Sequence, residues 1–321
     1  MKIWATILSI IFLIFVVAML WLYWFTGFRD ISLTSKSDNS NFSLENKVST
    51  ASDLKESNFS LSGSSNMQFY NNMRYSNFKI SYRISDACTL QKKADAEGAF
   101  EILENKTILD FYPVQNNEEI LISCEDKQRI KEDFFIAGEG GPVNITQAGE
   151  FNVILYGEVS LIRQSECQNP NVALHEILHA LGFDHSGNPN NIMYNISKCS
   201  QTLGDDIPML IDELYSIPSY ADLVLEDIVP VIHGKYLDVN LTVKNNGFKD
   251  APASVIKIYM DDVFVDEMNL EALEIGFGMK IMLQNVYTKK SNFDALKFVV
   301  ETNFEELDKK NNEAIFEAQS N

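Results

Sequence analysis

The chain has 321 residues, with 45 acidic side chains against 26 basic ones, a net charge of −19, four cysteines and four histidines. Such acidity repels a phosphate backbone and excludes a nucleic-acid binder, while 45% hydrophobic residues exclude disorder of the whole chain. The length suits about two domains of ordinary size.

From Ile3 to Phe25 no side chain is charged. As a helix these residues extend roughly 34 Å, enough to cross a bilayer core. The run is longer than the apolar part of a cleaved signal peptide and ends in Trp21, Tyr23, Trp24 and Phe25, which suit a membrane interface. Residues 1–29 are therefore expected to form a retained transmembrane anchor. Lys2 and the terminal amine set the N-terminus in the cytoplasm and the rest outside. Residues 30–73, crowded with Ser and Asn, read as a disordered stalk.

Alternation then begins at Phe78, with Ile80-Ser81-Tyr82-Arg83-Ile84 as a strand. Leu90 to Leu103 has helical spacing, and strands are predicted over Ile108–Val114 and Ile120–Cys124. A loop is expected at Gly138-Glu139-Gly140-Gly141-Pro142, then a strand from Phe151 to Ile162. A helix opens near Asn169-Pro170, and another spans Ile207–Tyr215 with Asp206 as N-cap. This order predicts an α+β domain over residues 74–220. After Ser219 only short β-branched runs follow, separated by turns such as Asn245-Asn246-Gly247 and Gly276-Phe277-Gly278. Residues 221–321 are therefore expected to form a small all-β, immunoglobulin-like sandwich.

None of Cys88, Cys124, Cys167 and Cys199 belongs to a Cys-x-x-Cys pair, which favours disulfides in an oxidising compartment over a zinc knuckle. Three connectivities exist. Pairing in chain order, Cys88 with Cys124 and Cys167 with Cys199, closes the shortest loops, while four buried free thiols stay open as the alternative. Six Asn-x-Ser/Thr sequons, at Asn41, Asn58, Asn105, Asn144, Asn195 and Asn240, are compatible with an outside location.

Three of the four histidines fall in His175-Glu176-Ile177-Leu178-His179-Ala180-Leu181-Gly182-Phe183-Asp184-His185. His175 and His179, four apart on a helix, share one face and can reach a single cation. Gly182 can take a positive φ, ending the helix so that His185 returns to the same ion. Three imidazoles without a fourth protein ligand leave one position for water, which marks a catalytic zinc site. Glu176, not needed for coordination, is placed to act as general base on that water, and the reaction class is amide hydrolysis. A lone His-Glu-x-x-His can be an ordinary surface helix, but three histidines within eleven residues around a turn glycine make that reading a poor one. His233 reads as a plain strand or loop histidine.

His175, Glu176, His179, Gly182 and His185 resemble the long zinc signature of the metzincin metalloproteases, and Asn191-Ile192-Met193-Tyr194 resembles their Met-turn. Ser186, Tyr194, Asp205-Asp206-Ile207 and Leu214-Tyr215 are similar to the matrixin (matrix metalloproteinase-like) branch. The resemblance implies a twisted sheet with an active-site helix and a zinc endopeptidase binding extended peptides or proteins along an edge strand. It also implies Met193 beneath the metal and Tyr194 lining the substrate pocket. Asn195 stands where astacin-like metzincins place a further tyrosine contact, and no histidine precedes His175 to build a second zinc site. Calcium is common among such relatives, and the 138–142 loop could lend carbonyl ligands, although a plain turn explains it better. Leu241 to Gly247 and Val299 to Glu313 resemble the cell-adhesion-related CARDB domain, which implies a cell-surface partner. The competing function is an adhesion or binding protein whose sandwich does the work while the protease domain is latent or inactive.

Overall fold

The computed structural model describes residues 67–126, 129–131, 134–163 and 167–318. The predicted anchor, and the predicted stalk up to residue 66, lie outside these residues. Among the described residues no helix is long and apolar enough to cross a membrane.

The first region is a sheet with three helices. Its strands are β1 (Met73–Tyr75), β2 (Lys79–Ile84), β3 (Asp110–Pro113), β4 (Ile120–Cys124), β7 (Gly138–Ala148) and β8 (Phe151–Leu161), with a small hairpin, β5 (Arg129–Lys131) and β6 (Phe134–Ile136), set apart. β3, β2, β4 and β8 run parallel in that spatial order. β1 pairs in parallel with the start of β8, at Asn152–Ile154, ahead of the stretch that β4 uses, and β7 pairs with β8 antiparallel. Helix α1 (Leu90–Lys106) starts at Thr89, whose hydroxyl accepts from the Lys92 amide, and packs Phe100 against Tyr82 and Phe111. Helix α2 (Asn171–Ala180) is buried on nearly all sides, and α3 (Asp206–Tyr215) buries Ile207, Leu210, Ile211 and Leu214.

Several expectations need correcting. The packed fold begins by Met67 rather than at residue 74, because Gln68 and Met73 are buried and the Gln68 side chain exchanges two hydrogen bonds with the Met73 backbone. Asp206 is the first residue of α3, with Asp205 at the cap. The expected loop 138–142 is the start of edge strand β7. Its composition looks like a turn, but the glycines serve packing: a Cβ on Gly140 would stand 2.1 Å from the Glu176 carbonyl oxygen, and one on Gly138 2.6 Å from Glu176 Cγ. Bare backbone lets the strand lie directly on α2.

The second region is all β. β9 (Leu223–His233), β10 (Tyr236–Asn245) and β13 (Gly278–Tyr287) form one sheet, and β11 (Ser254–Met260), β12 (Val263–Leu270), β14 (Ala295–Glu301) and β15 (Glu313–Glu317) the other. Alternate residues of β10, from Leu237 to Val243, face Ile256, Ile258, Leu296, Phe298 and Phe316 in a second core. Both disulfides follow chain order, Cys88 with Cys124 and Cys167 with Cys199. The first ties the start of α1 to the end of β4. The second ties the approach to α2 to the segment after Tyr194.

Candidate metal centre

Helix α2 places His175 and His179 one turn apart on one face. It ends in a Schellman turn: Gly182 takes φ +95°, its amide donates to the His179 carbonyl, and the Phe183 amide donates to Leu178. The reversal brings His185 back, as the motif requires. The His179 Nε2 atom lies 3.0 Å from His175 Nε2 and 3.2 Å from His185 Nε2. Among the described residues this is the one group of three or more His, Cys, Asp or Glu side chains close enough to hold an ion.

The outer ring atoms fix the tautomers. His175 Nδ1 donates to the Ile192 carbonyl and His179 Nδ1 to the Phe183 carbonyl, both at 2.7 Å. A carbonyl only accepts, so these Nε2 atoms carry lone pairs toward the centre. Burial lowers the His175 pKa, and burial followed by the His175 ring pushes His179 down to about 4, so both are neutral near pH 7. Lone pairs facing one another at 3.0–3.2 Å repel unless a cation lies between them. Tetrahedral zinc, with bonds of about 2.0–2.1 Å, sets its ligand nitrogens roughly 3.3 Å apart. The donor set therefore fits a zinc ion.

The Glu176 side chain, next in sequence to His175, packs against Gly138 of β7. It is 6% exposed, and among the described residues no ion pair or hydrogen bond engages its carboxylate. Burial, then the Glu139 carboxylate, pushes its pKa up to about 8. Glu139 itself faces Arg129 at 2.7 Å.

Met193 is buried, and its amide donates to the Asn191 side-chain oxygen. The Asn191 amide nitrogen donates to both Asp206 oxygens, so the turn that carries Ile192 is tied to the start of α3. Tyr194 is half-buried and bridges to Ser186. A cavity of about 100 Å³ beside the triad is walled by His185, Ser186, Asn191, Met193, Asp206 and Ile207 among others, and Tyr194 is not in its lining. Several contributions escaped the sequence: the packing of Gly138 and Gly140, the tie between Asn191 and Asp206, and Phe69, whose ring stacks on His179 at 5.5 Å. The alternate glycines were the available signal for the first. His233 pairs with Asp238 at the far end of β9, away from the triad.

The fold and the three converging histidines have the arrangement that a zinc metallopeptidase uses. Residues 67–191 match the family model for the astacin peptidases, and residues 221–316 match the model CARDB. The chain thus holds a region similar to the astacin peptidases, followed by one similar to the CARDB domains. Astacin is a different metzincin branch from the matrixins, and the match stops before Tyr194 and Asp205, two of the positions on which the matrixin resemblance rests. No curated protein matches the chain. Among solved structures, the CARDB domain of a Pyrococcus furiosus protein, in complex with di-metal ions, is 20% identical over 30% of this chain and 90% of its own, with a TM-score of 0.27. A domain of a predicted cell surface protein from Methanosarcina acetivorans is also 20% identical, over 32% of this chain and 95% of its own, with a TM-score of 0.27. Calcium finds no support, since the 138–142 segment is a strand packed on α2.

Proposed function

We propose that the chain is a zinc endopeptidase held at the outer face of a membrane, with His175, His179 and His185 as the metal ligands and Glu176 as general base. The observation that carries this reading is the convergence of three histidine Nε2 atoms, on a helix that also carries a buried carboxylate with no partner among the described residues. A zinc ion there would acidify a water and polarise a substrate carbonyl. Glu176 takes a proton from the attacking water and returns it to the leaving nitrogen, and its raised pKa suits both transfers near neutral pH. The Ile192 and Phe183 carbonyls hold His175 and His179 in the ligand tautomer throughout. Among the described residues β7 pairs on one side only, with β8, so its free edge can receive an extended peptide as an added strand.

Ser186, Met193 and Asp206, which line the cavity beside His185, support a matrixin-type pocket with Met193 beneath the metal; Tyr194, Asp205 and Leu214-Tyr215 carry the resemblance in sequence alone. Asn195, two residues after Met193, is exposed, and no tyrosine there adds a further ligand. The uncharged run Ile3–Phe25 and the two disulfides support the outside location. Metal analysis and peptide-library cleavage, with wild type beside Glu176→Ala, test the reading. About one zinc in both is expected, with cleavage reduced roughly 10²- to 10⁴-fold in the variant. Equal cleavage by the two proteins would overturn it.

A further inference from the structure

We propose that the CARDB sandwich is a brace for the substrate-binding strand of the peptidase, acting through Phe248 and Gly276; this rests on the endopeptidase reading above.

Phe248 belongs to the second region by sequence and to the first core by packing. It is 1% exposed, its ring meets Phe151 edge-on at 5.0 Å, and it covers one face of the Arg74 guanidinium at 4.2 Å, with Tyr215 on the other face at 4.3 Å. Arg74 is 1% exposed and has no carboxylate partner among the described residues. It donates instead to the carbonyls of Tyr75, Leu214 and Ile217. The second region thus closes a polar joint between β1, α3 and the start of β8.

The neighbouring turn touches β7 itself. Gly276 has φ +75°, and a Cβ there would stand 2.4 Å from Thr146 Oγ1 and 2.6 Å from the Gln147 carbonyl oxygen. The turns around Phe248 and Gly276 form one platform: the Gly276 amide donates to the Asn245 carbonyl, and the Asn245 amide to the Phe277 carbonyl. The fully buried Asn245 side chain adds bonds to Lys249 and Leu273.

β7 needs such support. One strand alone pairs with it among the described residues, and its register slips on both sides of Asn144, next to Pro142, which lacks an N–H. Gly138–Pro142 is fixed by contact with α2, whereas Ile145–Ala148 depends on the β8 hairpin and on the platform. A peptide that adds to this edge binds more tightly the more rigid the edge is beforehand.

The test compares the full chain with its Gly276→Ala, Phe248→Ala and Phe248→Leu variants. Zinc content, KM and kcat on a long peptide, and amide exchange along residues 143–148 are followed. Gly276→Ala and Phe248→Ala should keep zinc, raise KM about fivefold or more with kcat within twofold, and speed exchange along 143–148 but not along β4. Phe248→Leu, which keeps the slot largely filled, should recover most of the affinity and guards against plain misfolding. Lower thermal stability with KM and β7 exchange unchanged would overturn the brace. A wild type that binds zinc and cuts nothing would sink the endopeptidase reading alone, and faster β7 exchange in the variants would still support the brace.

Discussion

At the scale of single residues, the metal centre sets two opposed titrations inside one helix. Glu176 has a raised pKa, from 4.5 to about 8, so without metal it favours the fold at low pH and loses that contribution as pH climbs through this window. His179 has a lowered pKa, from 6.5 to about 4, so it favours the fold at high pH and loses its contribution as pH falls through that window. In the metal-free protein the two partly cancel. Replacing Glu176→Gln should leave the histidine effect exposed, so that Tm rises between about pH 4 and pH 7 and then stays level, while wild type turns down toward about pH 8. Melting curves in the presence of a chelator check this, and coincident wild-type and variant profiles would contradict the burial-driven shift. The triad was legible in the sequence because helical period and a single glycine are local properties. The Ile192 and Phe183 carbonyls that fix the tautomers were not, since every residue has a carbonyl and only the tertiary fold selects which one faces a ring.

Among the elements, the contact between β7 and α2 makes the sharpest demand on sequence. Gly140→Ala should push the strand off Glu176, reduce cleavage at least tenfold and destabilise by about 1–3 kcal/mol, the usual range for overpacking. Gly141→Ala, where an added Cβ meets nothing within 4 Å, should be close to neutral on both counts. An equal response at the two positions would refute the packing account. The glycines were visible in the sequence, but Gly-Gly-Pro has the composition of a turn, and strand formation there is imposed by a helix that needs bare backbone. β1 was missed for a related reason: three residues after Asn71-Asn72 carry no periodicity, and their burial comes from β8. The Cys167–Cys199 bond closes a span of 32 residues, worth up to about 4 kcal/mol in the chain-entropy account. Cys167→Ser with Cys199→Ser should lower Tm by several degrees, and limited proteolysis should then cut within residues 195–201. Zinc should be retained, because Asn191 and Asp206 hold the Met-turn independently.

For the whole molecule, the change from mixed to all-β elements near residue 220 was legible in the sequence, whereas β15 (Glu313–Glu317) carries too short an apolar pattern to be read as a strand. How the regions meet was not legible. Phe248 follows Asn245-Asn246-Gly247, which the sequence presents as a turn of the sandwich, and nothing local shows that its ring enters another core. Because Phe248, Ile275 and Leu307 all pack against the first core, both regions should unfold in one transition. Calorimetry checks this. Phe248→Ala, which should cost about 3–5 kcal/mol as a large core truncation, should lower that single Tm rather than split it, and two transitions in wild type would refute the shared core.

The position of Phe248 also bears on synthesis. Domains commonly fold as they leave the ribosome, N-terminal first, at about 5–20 residues per second. Here the region that holds the candidate metal centre lacks part of its interior until a ring more than sixty residues beyond His185 has been made. The nascent chain would therefore carry that centre unfinished until the start of the sandwich has followed it out of the ribosome. The order of the two regions thus sets a delay on its completion, written into the chain as distance.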